Sequence, residues 1–384
     1  MEQMENPNLT GREHLGWVDL LRVAACFTVV FAHCCDPFVA HFDADRGAFL
    51  TGVFAGSLTR PCVPLFVMLT GVLLLPVSEE MGAFYRRRIG RLVPPLLFWS
   101  VALPLLFYAY LSTAGAATQN PSVDASAYTV RQLLVRLCTF VFNFNYDTTP
   151  LWYLYMLVGL YLAMPVLSPW LRQASQRDLK LFLGVWGLSL LLPYVRLAAP
   201  LLGYEGNGGN PGLWGVCDWN EFGMLYYFSG FVGYLVLAHY LVRYPLRWSR
   251  RRTLCAMAPL FAVGYLITAL GFVAMQRYFP GNYAYLEIVW YFCGVNVLLM
   301  TLPVFVVAQR FAGAVRPWIA RLARLAFGIY LCHFAVIPVS YDLFDCPALP
   351  AWLRIAGMAC TTFGASALAV RAMSRWRVTR RVVM

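Results

Sequence analysis

The feature that most constrains this chain is the way its charges are distributed: they fall in short clusters separated by apolar runs long enough to cross a bilayer. A membrane span needs about 20 mainly apolar residues. Ten runs qualify, at 15–39, 53–75, 92–112, 149–167, 180–201, 221–242, 254–275, 285–308, 322–340 and 350–371. Only 12% of the 384 residues are charged, against roughly 25% in a soluble domain, and 60% are hydrophobic. Mean hydropathy is +0.62. A soluble globular protein is excluded. The expected architecture is all-α, a polytopic membrane protein of about ten transmembrane helices, with residues 1–384 forming a single integral-membrane domain and no separate soluble domain. Segment 131–146 (RQLLVRLCTFVFNFNY) is amphipathic and short, and reads as an interfacial or re-entrant helix.

The net charge of +12 raises the question of a nucleic-acid partner, which would need a charged stripe on a water-soluble body. Hydropathy answers it: the partner of this surface is the lipid bilayer, with no nucleic acid. Of 30 basic residues, 22 lie on the side that carries both termini, 6 on the other, and two, Arg22 and Arg60, inside spans. By the positive-inside rule both termini are cytoplasmic, which predicts a multi-pass protein of the cell (inner) membrane. The polar N-terminus, MEQMENPNLTGREHLGW, has no basic segment leading into a short apolar one, so the first span is not a cleaved signal peptide. Only Lys180 is a lysine; the other 29 basic groups are arginines able to fork onto carboxylate or phosphate. The eleven cysteines show no metal-ligand spacing and predict no metal site. Cys217 and Cys346 fall in expected outer loops, and their pairing is left open, because spacing alone cannot show proximity.

Ionisable residues within a span are costly and mark functional sites by default. The first span carries Asp19, Arg22 and His33. At 100° per residue these three share one face, with His33 roughly 16 Å outward from Arg22. In FYRRRIGRLVPP (84–95), read as the loop after span two, Arg88 and Arg91 are neighbours at helical spacing and together can grip a pyrophosphate. Arg60 lies on the outer part of span two, where orientation signals do not belong, and should line a cavity or meet an acidic group. Glu221 and Glu287 open the outer ends of two spans and can orient a histidine or hydrogen-bond a sugar. His333 is a candidate second site histidine, while His14, His41 and His239 lie near span ends and read as interfacial. Outer loops 113–130 and 203–220, rich in Gly, Asn, Ser and Thr, suit a polar ligand.

Five stretches carry a resemblance: WVDLLRVAACFTVVFAH (17–33), RPCVPLFVMLTGVLLL (60–75), FYRRRIGRLVPP (84–95), PLWYLYMLVGLYLAMPVL (150–167) and FGIYLCHF (327–334). In this order they resemble the motifs of the acyltransferase 3 family, integral-membrane acyltransferases that include bacterial O-acetyltransferases of surface polysaccharides. The resemblance implies transfer of an acyl group, usually acetyl, from cytoplasmic acyl-CoA (acetyl-CoA) to a hydroxyl of a cell-surface or lipid-linked carbohydrate. It implies His33 as catalytic histidine, Asp19 and Arg22 as the pair below it, and Arg88 and Arg91 as contacts to the acyl-CoA phosphates. Thr70-Gly71 stands where the family often has Ser-Gly, and no hydrolase-like domain is fused, which suggests a stand-alone transferase.

The residues support this chemistry independently. A sugar hydroxyl needs a positioned base, and histidine titrates nearest neutrality. His33 would accept the hydroxyl proton, with a transient acyl-imidazole as the other route. Arg60, Tyr153 and Trp152 are candidate donors to the developing oxyanion. Two other classes compete. A secondary transporter or flippase for an anionic or glycosidic solute would use the intramembrane Arg and His, yet has no need of a phosphate grip at Arg88 and Arg91. A lipid-bound structural subunit explains neither His33 nor Arg60.

Overall fold

Apolar sequence in hydrocarbon forms helix because the helix satisfies every internal backbone group. Where the helix stops inside the membrane, side chains must take over. In the computed structural model, residues 12–142, 145–204, 213–217, 220–313 and 315–384 are described, and among them there are helices, turns and no strand. Most of loop 203–220 lies outside the described residues.

The helices are α1 (Arg12–Val39), α2 (Arg46–Leu58), α3 (Cys62–Leu74), α4 (Met81–Leu111), α5 (Val130–Thr139), α6 (Trp152–Gln173), α7 (Gln176–Ser189) and α8 (Val195–Leu201). They continue as α9 (Val232–Arg243), α10 (Arg250–Tyr278), α11 (Tyr283–Leu286), α12 (Val295–Phe311), α13 (Pro317–Ala323), α14 (Ala326–Phe344), α15 (Ala351–Met373) and α16 (Arg377–Val383). Seven helical segments among the described residues are long and apolar enough to span: Gly16–Val39, Arg46–Leu74, Met81–Leu111, Val130–Gln173, Arg250–Tyr278, Ala326–Phe344 and Ala351–Met373. The chain falls into two compact units, one of Met1–Leu21, Arg60–Ser78 and Ala163–Ala314, the other of Arg22–Thr59, Glu79–Leu162 and Val315–Met384.

Four of the ten expected runs are interrupted: run 53–75 between α2 and α3, and three runs that lie within the first unit. Run 180–201 divides into α7, a 3-10 turn at Leu192–Tyr194 and α8. Run 221–242 contributes only α9 as α-helix, after a 3-10 segment and Gly230, whose φ of +76° suits glycine. Run 285–308 breaks between α11 and α12. The carbonyls exposed by these breaks are met by buried side chains. The Trp186 indole N–H donates to Gly230 O at 2.9 Å, and the Tyr234 hydroxyl donates to Phe292 O at 2.9 Å. The Asn296 amide donates to Val289 O at 2.6 Å and to the Thr268 hydroxyl at 2.8 Å, while accepting from the Tyr194 hydroxyl at 2.6 Å. In the same unit α3 crosses α9 at Gly71, where an added Cβ would lie 2.8 Å from Leu235 O. That contact gives a packing reason for glycine after Thr70.

A second correction concerns FYRRRIGRLVPP. It is not a loop: Glu80 caps α4 through Gly82 N and Ala83 N, both at 2.8 Å, and all four arginines ride on its first turns. Those two backbone donors stabilise the ionised carboxyl, holding Glu80 below its usual pKa range.

The second unit packs α14 against α15 and α4, and α15 against α2. Its short α5 is the amphipathic segment expected near 131–146, and it contributes an ion pair. Arg136 donates to Asp147 Oδ2 at 3.0 Å, Asp147 is fully buried, and the guanidinium lies 4.3 Å from the centre of the Tyr128 ring. Burial pushes the Tyr128 phenol up to about 12, so it stays neutral beside the pair. Removing one partner of a buried pair leaves an uncompensated charge, which costs about 3–5 kcal/mol. Arg136→Ala is therefore expected to destabilise the protein by that amount in detergent unfolding, and adding Asp147→Asn should recover part of it. A loss below about 1 kcal/mol, the range of an exposed pair, would show that the pair is not buried as described.

Candidate functional site

The second unit brings together α1, α14 and the turn before α6. His33 stands on α1, and one helical turn later Asp36 accepts from its Nδ1 at 2.8 Å. An ionised carboxylate can only accept, so in the neutral ring this contact puts the His33 proton on Nδ1 and leaves Nε2 as a lone pair. His333 on α14 is fully buried, and its Nδ1 lies 2.6 Å from Tyr330 O. A carbonyl likewise only accepts, so His333 holds the same tautomer, and its buried Nε2 has no hydrogen-bond partner. The two rings lie 5.5 Å apart, centre to centre, at 34°. His33 is the reachable member, with 22% of its side chain exposed against none of His333.

Aromatic groups enclose the pair. Phe334 meets His33 edge-on at 5.1 Å and stacks on Phe107, while Tyr146 leans on Phe334 at 5.1 Å. Tyr330, 5.8 Å from His333, donates its hydroxyl to Pro150 O at 2.7 Å and packs on Tyr153 at 5.3 Å. Tyr153 is thereby one ring removed from His333, and Trp152 packs edge-on against Tyr153 at 6.2 Å.

The other sequence candidates are placed as follows. Arg88 and Arg91 lie one turn apart on α4; Arg88 is half-buried with its Nε buried and unpartnered, and Arg91 is exposed. Asp19 and Arg22 are half-buried on α1, Asp19 in the first unit and Arg22 at the start of the second, and neither is without a partner. Arg60, expected to line a cavity or meet an acid, sits in the break between α2 and α3, before Pro61. Its guanidinium is 4.7 Å from the ring centres of both Trp290 and Phe292, so cation–π attraction compensates its burial. Glu221 and Glu287 do converge, lining a cavity of about 260 Å3 in the first unit with Cys217 and Tyr291. Cys217 and Cys346 are free thiols.

Residues 15–371, nearly the whole chain, match the family Acyl_transf_3, described as an acyltransferase domain. The chain belongs to the acyltransferase 3 family. No curated protein and no solved structure matches it. Membership makes the chain a membrane acyltransferase, and its apolar helices agree with an integral-membrane protein.

Asp36, in HCCDP three residues after His33, is a fourth ionisable group of the first span and a residue of the site not singled out above. The signal was present, since positions i and i+3 face each other on a helix. Tyr330 and the Arg136–Asp147 pair were also not singled out; their partners are distant in sequence or sit in turns.

A hydrogen-bonded carboxylate holds an imidazole in one tautomer and stabilises its protonated form. Asp36→Asn should lower the acyl-transfer kcat by about 10²–10⁴-fold, the usual worth of acid–base catalysis, while Asp43→Asn, further along the chain, should not. Steady-state rates of the purified variants check this. An unchanged kcat in Asp36→Asn would remove Asp36 from the site.

Proposed function

We propose that this protein moves an acyl group, acetyl in the first instance, from cytoplasmic acyl-CoA to a hydroxyl of a cell-surface or lipid-linked carbohydrate. It would do so from the inner membrane, with both termini cytoplasmic. The observation that carries the reading is the His33–His333 pair, two imidazoles whose Nδ1 partners leave both Nε2 atoms as acceptors on facing helices.

In this reading the acceptor hydroxyl donates to His33 Nε2. As its oxygen attacks the thioester carbonyl carbon, the proton passes to Nε2, giving an imidazolium held by Asp36. The new C–O bond forms, the tetrahedral intermediate collapses with loss of the C–S bond, and the imidazolium returns the proton to the leaving thiolate. The products are an ester and CoA thiol, so atoms and charge balance. His333 Nε2 supplies a second buried acceptor beside the reacting proton. Trp152 and Tyr153 connect to the pair through Tyr330.

Arg88 and Arg91 are assigned to the donor phosphates. A half-buried guanidinium with an unpartnered Nε is suited to a phosphate oxygen, and charge-assisted bonds of this kind are about twice as strong as neutral ones. Asp19 and Arg22 are assigned to the inner end of α1, below His33. Glu221 and Glu287, which line the first unit's cavity, and Arg60 are assigned to carbohydrate binding within that unit, since sugar hydroxyls suit carboxylates and sugar rings suit aromatic surfaces.

Purified protein incubated with radiolabelled acetyl-CoA and candidate glycans should transfer label to the glycan. His33→Ala should abolish transfer and keep CoA binding, whereas Arg88→Ala with Arg91→Ala should weaken CoA binding roughly tenfold or more, about 1.4 kcal/mol. Label transfer at the wild-type rate by His33→Ala would overturn the base assignment. Absence of both transfer and CoA binding in the wild type would overturn the donor.

A further inference from the structure

A cavity of about 640 Å3 in the second unit takes no part in the arrangement above. Four arginines line it from three helices: Arg321 in the last turn of α13 and Arg324 at its C-cap, Arg371 in the last turn of α15, and Arg380 in α16. Trp318 and Ser374 complete the polar and aromatic wall, and no carboxylate side chain is among the described lining residues. The positive-inside rule accounts for arginines on this side of the membrane, but it does not require four of them to face one space. Met384, the last residue, also lines the groove and brings one α-carboxylate; four guanidinium groups exceed that single charge and repel each other, and a multiply charged anion relieves the repulsion while supplying acceptors for their forks.

We infer that this groove binds the 3′-phosphoadenosine end of the acyl-CoA donor, an inference that rests on the donor reading above. Three observations select that ligand. The volume falls within the roughly 300–1,000 Å3 typical of small-molecule sites. Trp318, 51% exposed, offers an indole face on which a purine can stack. The groove also lies at the foot of the helix that carries the site histidine: Leu325 belongs to its wall, and His333 is eight residues further along α14. At 1.5 Å per residue that separation is about 12 Å, a distance that an extended pantetheine arm spans. The assignment divides the donor between two arginine sets. The groove takes the 3′-phosphate and base, leaving the diphosphate to Arg88 and Arg91.

The test compares CoA with dephospho-CoA, which lacks only the 3′-phosphate, by calorimetric titration of the full chain in nanodiscs. Wild type should prefer CoA roughly tenfold or more. Arg321→Gln with Arg371→Gln should bind the two ligands alike, at the wild-type affinity for dephospho-CoA; that retained affinity also shows that the variant is folded. Arg88→Ala with Arg91→Ala should weaken both ligands and keep the preference. If the groove variant kept the full preference for CoA, the inference would be wrong while the donor reading stood. If wild type bound neither ligand, the donor reading itself would fall. A parallel arm measures binding of detergent-solubilised protein to phosphatidylglycerol vesicles. A groove variant that lost vesicle binding yet kept its CoA preference would assign the arginines to a lipid headgroup and overturn the inference.

Discussion

A polar group placed in hydrocarbon must find a partner within the protein or pay a desolvation cost of several kcal/mol. The fold follows from this constraint at each point where helix fails. Carbonyls freed at Gly230, Val289 and Phe292 are each met by a side-chain donor, from Trp186, Asn296 and Tyr234. Arg60, in a break of its own, has no helix end to cap and lies instead over the faces of Trp290 and Phe292. Asp147, fully buried, is neutralised by Arg136. Broken helices are therefore not weak points; they are the places where polar side chains enter an apolar interior.

The same constraint sets the chemistry of the site. An imidazole in this setting satisfies one nitrogen and thereby fixes the state of the other. Asp36 does this for His33, and the carbonyl of Tyr330 does it for His333. The nitrogen left over on His333 is buried and unpartnered, as is Nε of Arg88. Unsatisfied buried groups are uncommon in folded proteins, and these two sit among several in the chain, on residues within the family motifs. The cost of leaving them open is recovered when a substrate supplies the missing donor or acceptor.

Much of this was legible in the sequence, for identifiable reasons. Hydropathy reports burial averaged over 20 residues, so α1, α10, α14 and α15 coincide closely with expected runs, while the charged start of α4 lies outside its run. The average is blind to single residues that stop a helix, such as Pro61, Pro193, Gly230 and Gly294, and so runs 180–201, 221–242 and 285–308 read as whole. Helical phase placed Asp19, Arg22 and His33 on one face, and the same phase puts Asp36, inside run 15–39, one turn beyond His33. His333 is 300 residues from His33, and only the family motif, not any local spacing, pointed to it. The arginine groove was visible merely as scattered positive charge, since convergence of three helices cannot be read from a linear chain.

The central claim is that Asp36 locks His33 with its proton on Nδ1 and its lone pair on Nε2. Nitrogen-15 chemical shifts of the His33 ring, in full-length protein labelled at histidine and assigned by loss of signal in His33→Ala, report the tautomer directly. The account predicts, for the neutral ring, a protonated Nδ1 and a bare Nε2, with the Nδ1 proton shifted on Asp36→Asn. A neutral His33 with its proton on Nε2 would contradict it, because that nitrogen could then accept nothing from an incoming hydroxyl.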